Sequence, residues 1–217
     1  MKKKIIQLPK GYLSYSAIQL WKNDRKRYIQ YYFNNDKSFS LENSGLKYGK
    51  IVAEALEHDR ETGDLLTDAA LLLLTKYDVR DQEIRVTIKT KHGSFDILGR
   101  PDTLNSVSKA FREYKSGKGA WTANKAQKHP QMIFYALLIY LKYGVAHTEA
   151  YLDWIQTEDT DDLINYPEGI KPTGHVETFR VTFTLADILT CMADTIRVAK
   201  EIELAWVAHI PPKKEPW

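Results

Sequence analysis

Apolar and polar residues alternate with a period of two through Glu83-Ile84-Arg85-Val86-Thr87-Ile88-Lys89, which predicts a half-buried strand. Residues 176–184 alternate in the same way and predict a last strand. Residues 93–98 have strand composition, with Phe95, Ile97 and Leu98, and Lys91-His92-Gly93 turns the chain into them. Residues 146–154 predict another strand, with Ala150, Leu152 and Trp154 on one face. Elsewhere the period is helical. Ile18, Trp21, Arg25, Tyr28, Ile29, Tyr32 and Phe33 form one face behind a capping-box pair, Ser16 and Gln19. A second helix is expected over residues 45–60, with Tyr48, Ile51, Val52, Ala55 and Leu56. A third starts at Thr67 or Asp68 and runs through Tyr77; it is apolar all round at residues 71–74 and therefore expected to be buried. Residues 130–143 form a fourth. A last helix follows the cap pair Thr184 and Asp187 to about Ala208. Residues 1–12 read as a basic lead-in, 34–44 and 156–174 as loops, and 211–214 as a frayed tail. Helices dominate residues 1–80; strands and the C-terminal helix fill 81–217. The chain is thus expected to be one α/β unit over residues 1–217.

The pattern brings two charged stretches together. Gly99-Arg100-Pro101-Asp102 follows one strand, and Glu113-Tyr114-Lys115-Ser116-Gly117 ends another. Asn105, Ser106 and Ser108 between them are turn-formers. Read as two arms of one hairpin (residues 93–98 and 109–115), with the turn centred on Val107 and Ser108, they set residue 102 opposite residue 113. Like charges so placed destabilise a hairpin, and a divalent cation between them reverses the sign. Glu113 and Lys115 share a face. Two acids and one ammonium on one surface suit metal-assisted attack on a phosphodiester.

Asp102 followed by Glu113-x-Lys115 resembles the core motif of the PD-(D/E)xK nuclease superfamily. Other stretches carry the resemblance toward its RecB-type branch. Gln131-Met132-Ile133-Phe134-Tyr135 matches a Gln-x-x-x-Tyr helix, and Leu13-Ser14-Tyr15-Ser16-Ala17-Ile18 resembles a Ser-x-Ser helix start. The stretch Gly49 to Glu57 matches Gly-x-x-x-His-x-x-Leu-Glu except that Ala53 stands for the His. The resemblance implies a restriction-endonuclease-like core, a central mixed β-sheet flanked by helices, with an N-terminal helical part. It implies Mg²⁺ or Mn²⁺ on Asp102, Glu113 and the Tyr114 carbonyl, oxygen donors that suit hard cations. Lys115 would orient the attacking water or stabilise charge building on the phosphate, Gln131 would hold a phosphate oxygen or a metal-bound water, and Tyr135 would support Gln131 or contact the backbone. Glu57, one turn from the Ala53 position, is a further candidate metal ligand, directly or through water.

The chain has one cysteine, Cys191, which excludes an internal disulfide and an iron–sulfur cluster of four cysteines, and suits a reducing cytoplasm. No stretch approaches the ~18 apolar residues of a membrane span, and the N-terminus lacks a signal-peptide core. A net charge of +3 is too small to argue a nucleic-acid partner. Its distribution says more, since residues 109–128 hold six bases against one acid, Glu113. That lane suits a phosphate backbone. Arg100, Lys118, Lys125 and Lys128 are candidate DNA contacts; Trp121 either stacks on a base or tucks under the helix that follows. The expected function is metal-dependent DNA hydrolysis, exonucleolytic, in recombination, repair or mobile-element processing. DNA is the expected partner, single- or double-stranded, with RNA left open. A recombinase, helicase or annealing protein would feed it ends. The alternative is a DNA-binding or assembly module on the same fold, impaired in catalysis, for which Ala53 speaks.

Overall fold

The computed structural model describes residues 4–38, 44–146 and 149–209, with 44–46 by backbone alone. The tail expected at 211–214, and the loop expected at 34–44 over its residues 39–43, lie outside these. The class is α/β, with mixed sheets flanked by helices. Two sheets share the described strands. One has the order β1-β4-β3: β1 (Tyr12–Ser14) lies parallel to β4 (Gly93–Gly99), which pairs antiparallel with β3 (Ile84–Thr90). The other has the order β2-β5-β6-β7-β8, with β2 (Val79–Arg80), β5 (Thr103–Leu104), β6 (Phe111–Gly117), β7 (Glu149–Asp159) and β8 (Ile170–Thr182). In it β6 and β7 run parallel and the other pairs antiparallel.

A parallel pair needs a crossover, and here α5 (Ala123–Gln127) and α6 (Pro130–Tyr143) supply it. Proline at the first turn starts α6 and Gly144, left-handed at φ 76°, ends it. Met132 and Phe134 through Ile139 are all buried, so α6 is the central helix of the main core. α7 (Leu185–His209) packs against it. On the opposite face of the larger sheet α3 (Ser44–His58) and α4 (Leu65–Leu73) form a second core with Tyr114, Ile155 and Ile170. β6 is thus sandwiched, with Phe111, Glu113 and Lys115 toward α6 and Tyr114 toward α3.

Several expectations are corrected. The strand at 93–99 does not pair with the one ending at Lys115. It belongs to the smaller sheet, and the hairpin arm is the two-residue β5 beyond Pro101. The expected register survives: Thr103 pairs with Arg112, so one step further residue 102 faces 113. The first helix is interrupted. α1 (Tyr15–Asn23) is capped by Ser14, and the Asp24 side chain caps a second segment, α2 (Arg25–Tyr28), which continues as a π-helical turn, Ile29–Phe33. α4 is capped by Asp64 and buries one side only. The loop expected over 156–174 is mostly the β7–β8 hairpin, with a register shift between Ile155 and Thr157.

Candidate functional site

The site lies where β5 stops. Having only two residues, β5 pairs with Phe111 and Arg112 and leaves the next edge of β6 open. The carboxylate of Asp102 takes over there: its Oδ2 accepts the Tyr114 backbone N–H at 2.6 Å. A residue's N–H and C=O leave a strand on the same side, so the Tyr114 carbonyl is directed to this edge as well. Asp102, Glu113, Tyr114, Lys115 and Ser116 line a cleft of about 290 Å³, closed on its other wall by Gly49, Lys50, Val52 and Ala53 of α3.

Glu113 is 3% exposed. Its Oε1 accepts Lys115 Nζ at 2.7 Å and Gln131 Nε2 at 2.6 Å. Gln131 closes the triangle, its Oε1 accepting Lys115 Nζ at 2.8 Å, and its Nε2 also donates to the Tyr135 hydroxyl at 2.9 Å. The other oxygen, Glu113 Oε2, is buried with no hydrogen-bond partner. Burial, and then the neighbouring Glu113 carboxylate, raise the Asp102 pKa well above the usual carboxylate range. Burial alone would depress the Lys115 ammonium; the Glu113 and Asp102 carboxylates more than offset that and hold it protonated. Gly99 lets α6 come this close: a Cβ there would stand 2.6 Å from Leu138 Cδ1 and 2.7 Å from Tyr135 Cε1.

Asp102, Glu113, Lys115, Gln131 and Tyr135 are therefore brought together. Glu57 lines an adjoining cavity of about 80 Å³ that shares Asp102, Tyr114 and Ala53 with the cleft, and its carboxylate lies 3.8 Å from His58. No group of three His, Cys, Asp or Glu side chains poised to hold a metal occurs among the described residues. A hard cation at the cleft could draw on Asp102, Glu113 and backbone oxygen. These fit it in kind, because the orphaned Oε2 and the like-charged pair are both relieved by a cation.

The cationic lane is mostly neutralised. Arg112 points to the opposite face and binds the buried Asp153. Arg100 is committed to Asp81 and Glu83, and Lys118 to Asp159. Lys125 sits over the Trp121 ring at 4.3 Å, and Trp121 packs edge-on against His129 at 5.2 Å, the tucked position. Lys128 lines a different groove, of about 540 Å³, between α1, α6 and α7. That groove is larger than the cleft, but its acids are already engaged, Asp194 by Lys22 and Arg197 and Asp187 by Thr184.

Two residues reach the site without having been singled out. Tyr15 opens α1 within electrostatic reach of Lys115 and Glu113, and burial raises its pKa. It lies inside the Ser-x-Ser stretch, which was the available signal. His129 precedes α6, and burial together with the Lys115 and Lys125 charges pushes its pKa down to about 4. Nothing in the sequence marks it.

No family model and no curated protein matches the chain. Among solved structures it is similar to SSO0001, at 13% identity over 95% of this chain and 88% of that one, with a TM-score of 0.48. That likeness is too distant to bear on the chemistry. No described helix is long and apolar enough to cross a membrane.

Proposed function

We propose that this chain is a metal-dependent nuclease hydrolysing DNA phosphodiesters at the cleft of Asp102, Glu113 and Lys115. One observation carries the reading: two carboxylates and an ammonium meet at the open edge of β6, and one oxygen of the buried Glu113 is left without a partner. Asp102, Glu113 and the Tyr114 carbonyl would hold Mg²⁺ or Mn²⁺. Such an ion, when bound, lowers the pKa of its water and polarises a phosphoryl oxygen. Lys115, kept protonated by its two acids, holds positive charge where negative charge builds on the phosphate. Gln131 fixes the Lys115 and Glu113 head groups relative to each other, and Tyr135 anchors Gln131 from the core side. A cytoplasmic enzyme acting on DNA ends, supplied with them by a recombinase, helicase or annealing protein, fits the reducing environment that a lone cysteine suits.

The rival reading, a DNA-binding module without turnover, has Ala53 in its favour. Incubation with linear duplex DNA, single-stranded DNA and RNA, each with Mg²⁺, Mn²⁺ or chelator, separates the two. Cleavage that needs the ion and falls by about 10²–10³ in Lys115→Ala supports the enzyme. Binding without cleavage in either ion overturns it.

A further inference from the structure

α4 carries two apolar faces, and the fold covers one. Thr67, Ala70, Leu71 and Leu74 pack inward. Outward face Leu65, Leu66, Ala69, Leu72 and Leu73, with Leu65 at 85% exposure and Leu72 at 87%. These positions recur as i, i+1, i+4, i+7 and i+8, the spacing of a helix stripe that packs against another element. Monomers seldom leave such a stripe uncovered.

The stripe is also a palindrome. Ala69 is its centre, with leucines three and four residues away on both sides. A two-fold axis through Ala69, perpendicular to the helix, maps the stripe onto itself, as a face that packs against its own copy requires. We infer that α4 is a homodimer interface in which two copies pack antiparallel across Ala69. Leu65 then faces the partner's Leu73, Leu66 faces the partner's Leu72, and the small Ala69 lets the helices approach at the axis. Reversal sets opposite ends of the two helix dipoles side by side.

The area suffices. The four leucines and Ala69 expose roughly 500 Å² per copy, on the order of 1,000 Å² for two, where specific interfaces begin. The β7–β8 turn adds a rim. The Tyr166 hydroxyl donates to Asp64 at 2.9 Å, which brings a loop bearing the exposed Leu163 and Ile164 to the N-terminal end of α4. The inference does not depend on the nuclease reading.

Sedimentation equilibrium of the full chain tests it. At tens of micromolar the mass is expected to be twice the 25.1 kDa of one chain. Leu65→Glu and Leu72→Glu should each weaken the dimer by roughly 100-fold, since every substitution counts twice across the axis. Both side chains are exposed, so thermal melts should stay those of a folded protein. The register is tested by Leu65→Glu/Leu73→Lys, which places opposite charges face to face and should restore association. A monomer at that concentration overturns the inference, whether α4 is covered by its own chain or by another protein. So does a dimer indifferent to the two Glu variants, or one that the double variant fails to rescue.

Discussion

Arg112 and Glu113 are adjacent on β6, point to opposite faces, and both bury a charge. On one face Arg112 Nη1 donates to both oxygens of Asp153 at 2.8 Å, and Thr178 donates to Asp153 as well. The guanidinium lies 4.4 Å from the centre of the Tyr151 ring. Opposite charges meet there, although Arg112 Nε is left without a hydrogen bond, as Glu113 Oε2 is. On the other face Glu113 shares its surroundings with a second acid, Asp102, and its Oε2 accepts no hydrogen bond. Burial is common to both faces, so burial does not mark chemistry. The sign of the neighbouring charge is what differs: Arg112 meets an acid, whereas Glu113 shares the Lys115 ammonium with a second acid, Asp102.

The largest effect is expected from opening the Arg112–Asp153 pair. Asp153→Ala leaves Arg112 buried and uncompensated, and should destabilise the protein by about 3–5 kcal/mol in urea unfolding. Replacing both partners with Arg112→Met/Asp153→Leu should recover most of that loss, because the pair's attraction roughly balances its desolvation. If Asp153→Ala is neutral, the pair is not what fixes this face of β6, and the contrast with Glu113 disappears.

A smaller effect of opposite sign is expected on the other face. Asp102→Asn keeps the acceptor for Tyr114 N–H and removes one of two like charges. Without added metal it should raise stability by up to about 1 kcal/mol, roughly 2–4 °C in Tm for a chain of this size, while abolishing cleavage. The native Asp102 pKa lies above its unfolded value. The native state therefore holds its proton after the unfolded state has released it, and stability falls as pH rises from about 4 through the native pKa. Asp102→Asn should remove that part of the pH dependence. Mg²⁺ or Mn²⁺ should raise the Tm of the wild type and not of the variant. A variant that melts below the wild type in chelator would show that the two acids do not oppose each other.

Part of this was legible in the sequence. The 102–113 register came from the turn-formers Asn105, Ser106 and Ser108, and the Asn105 side chain does accept the N–H groups of Val107 and Ser108. Alternation placed Glu113 and Lys115 on one face, and helical spacing placed Gln131 beneath Tyr135. Of the two partners of residues 93–99, β3 was legible from the Lys91-His92-Gly93 turn, and β1 was not, because it has three residues and lies some eighty positions away. The break at Asp24 was hidden for a different reason: a side chain that accepts the Arg27 N–H outcompetes a helical pattern that continues through it. Pro172 and Gly174 argued for a loop, yet β8 is the last strand in its sheet's order, and an edge tolerates a missing donor. The charges of the basic lane were legible and their partners were not, since Asp81, Asp153 and Asp159 approach from other elements.

The smallest effect is expected at His129. His129 Nδ1 is buried without a partner, as Glu113 Oε2 is, and it lies in the same neighbourhood. The resemblance ends with the charge. Burial, and then the cations Lys115 and Lys125, keep the imidazole neutral, with its pKa pushed down to about 4. The unfolded chain binds a proton at His129 near the ordinary 6.5, and the native chain does not until about 4. Between those values the unfolded state carries the extra proton, so acidification draws the equilibrium toward it. Stability should fall as pH drops from 6.5 toward 4, and His129→Gln should flatten that slope while leaving stability at pH 8 nearly unchanged. Thermal melts across this range, with wild type and variant in parallel, check it. Equal slopes would mean that His129 titrates normally and that the Lys115 charge does not reach it. Lys115 would then be screened, and the field that the cleft needs in order to hold a phosphate would be weaker than the packing implies.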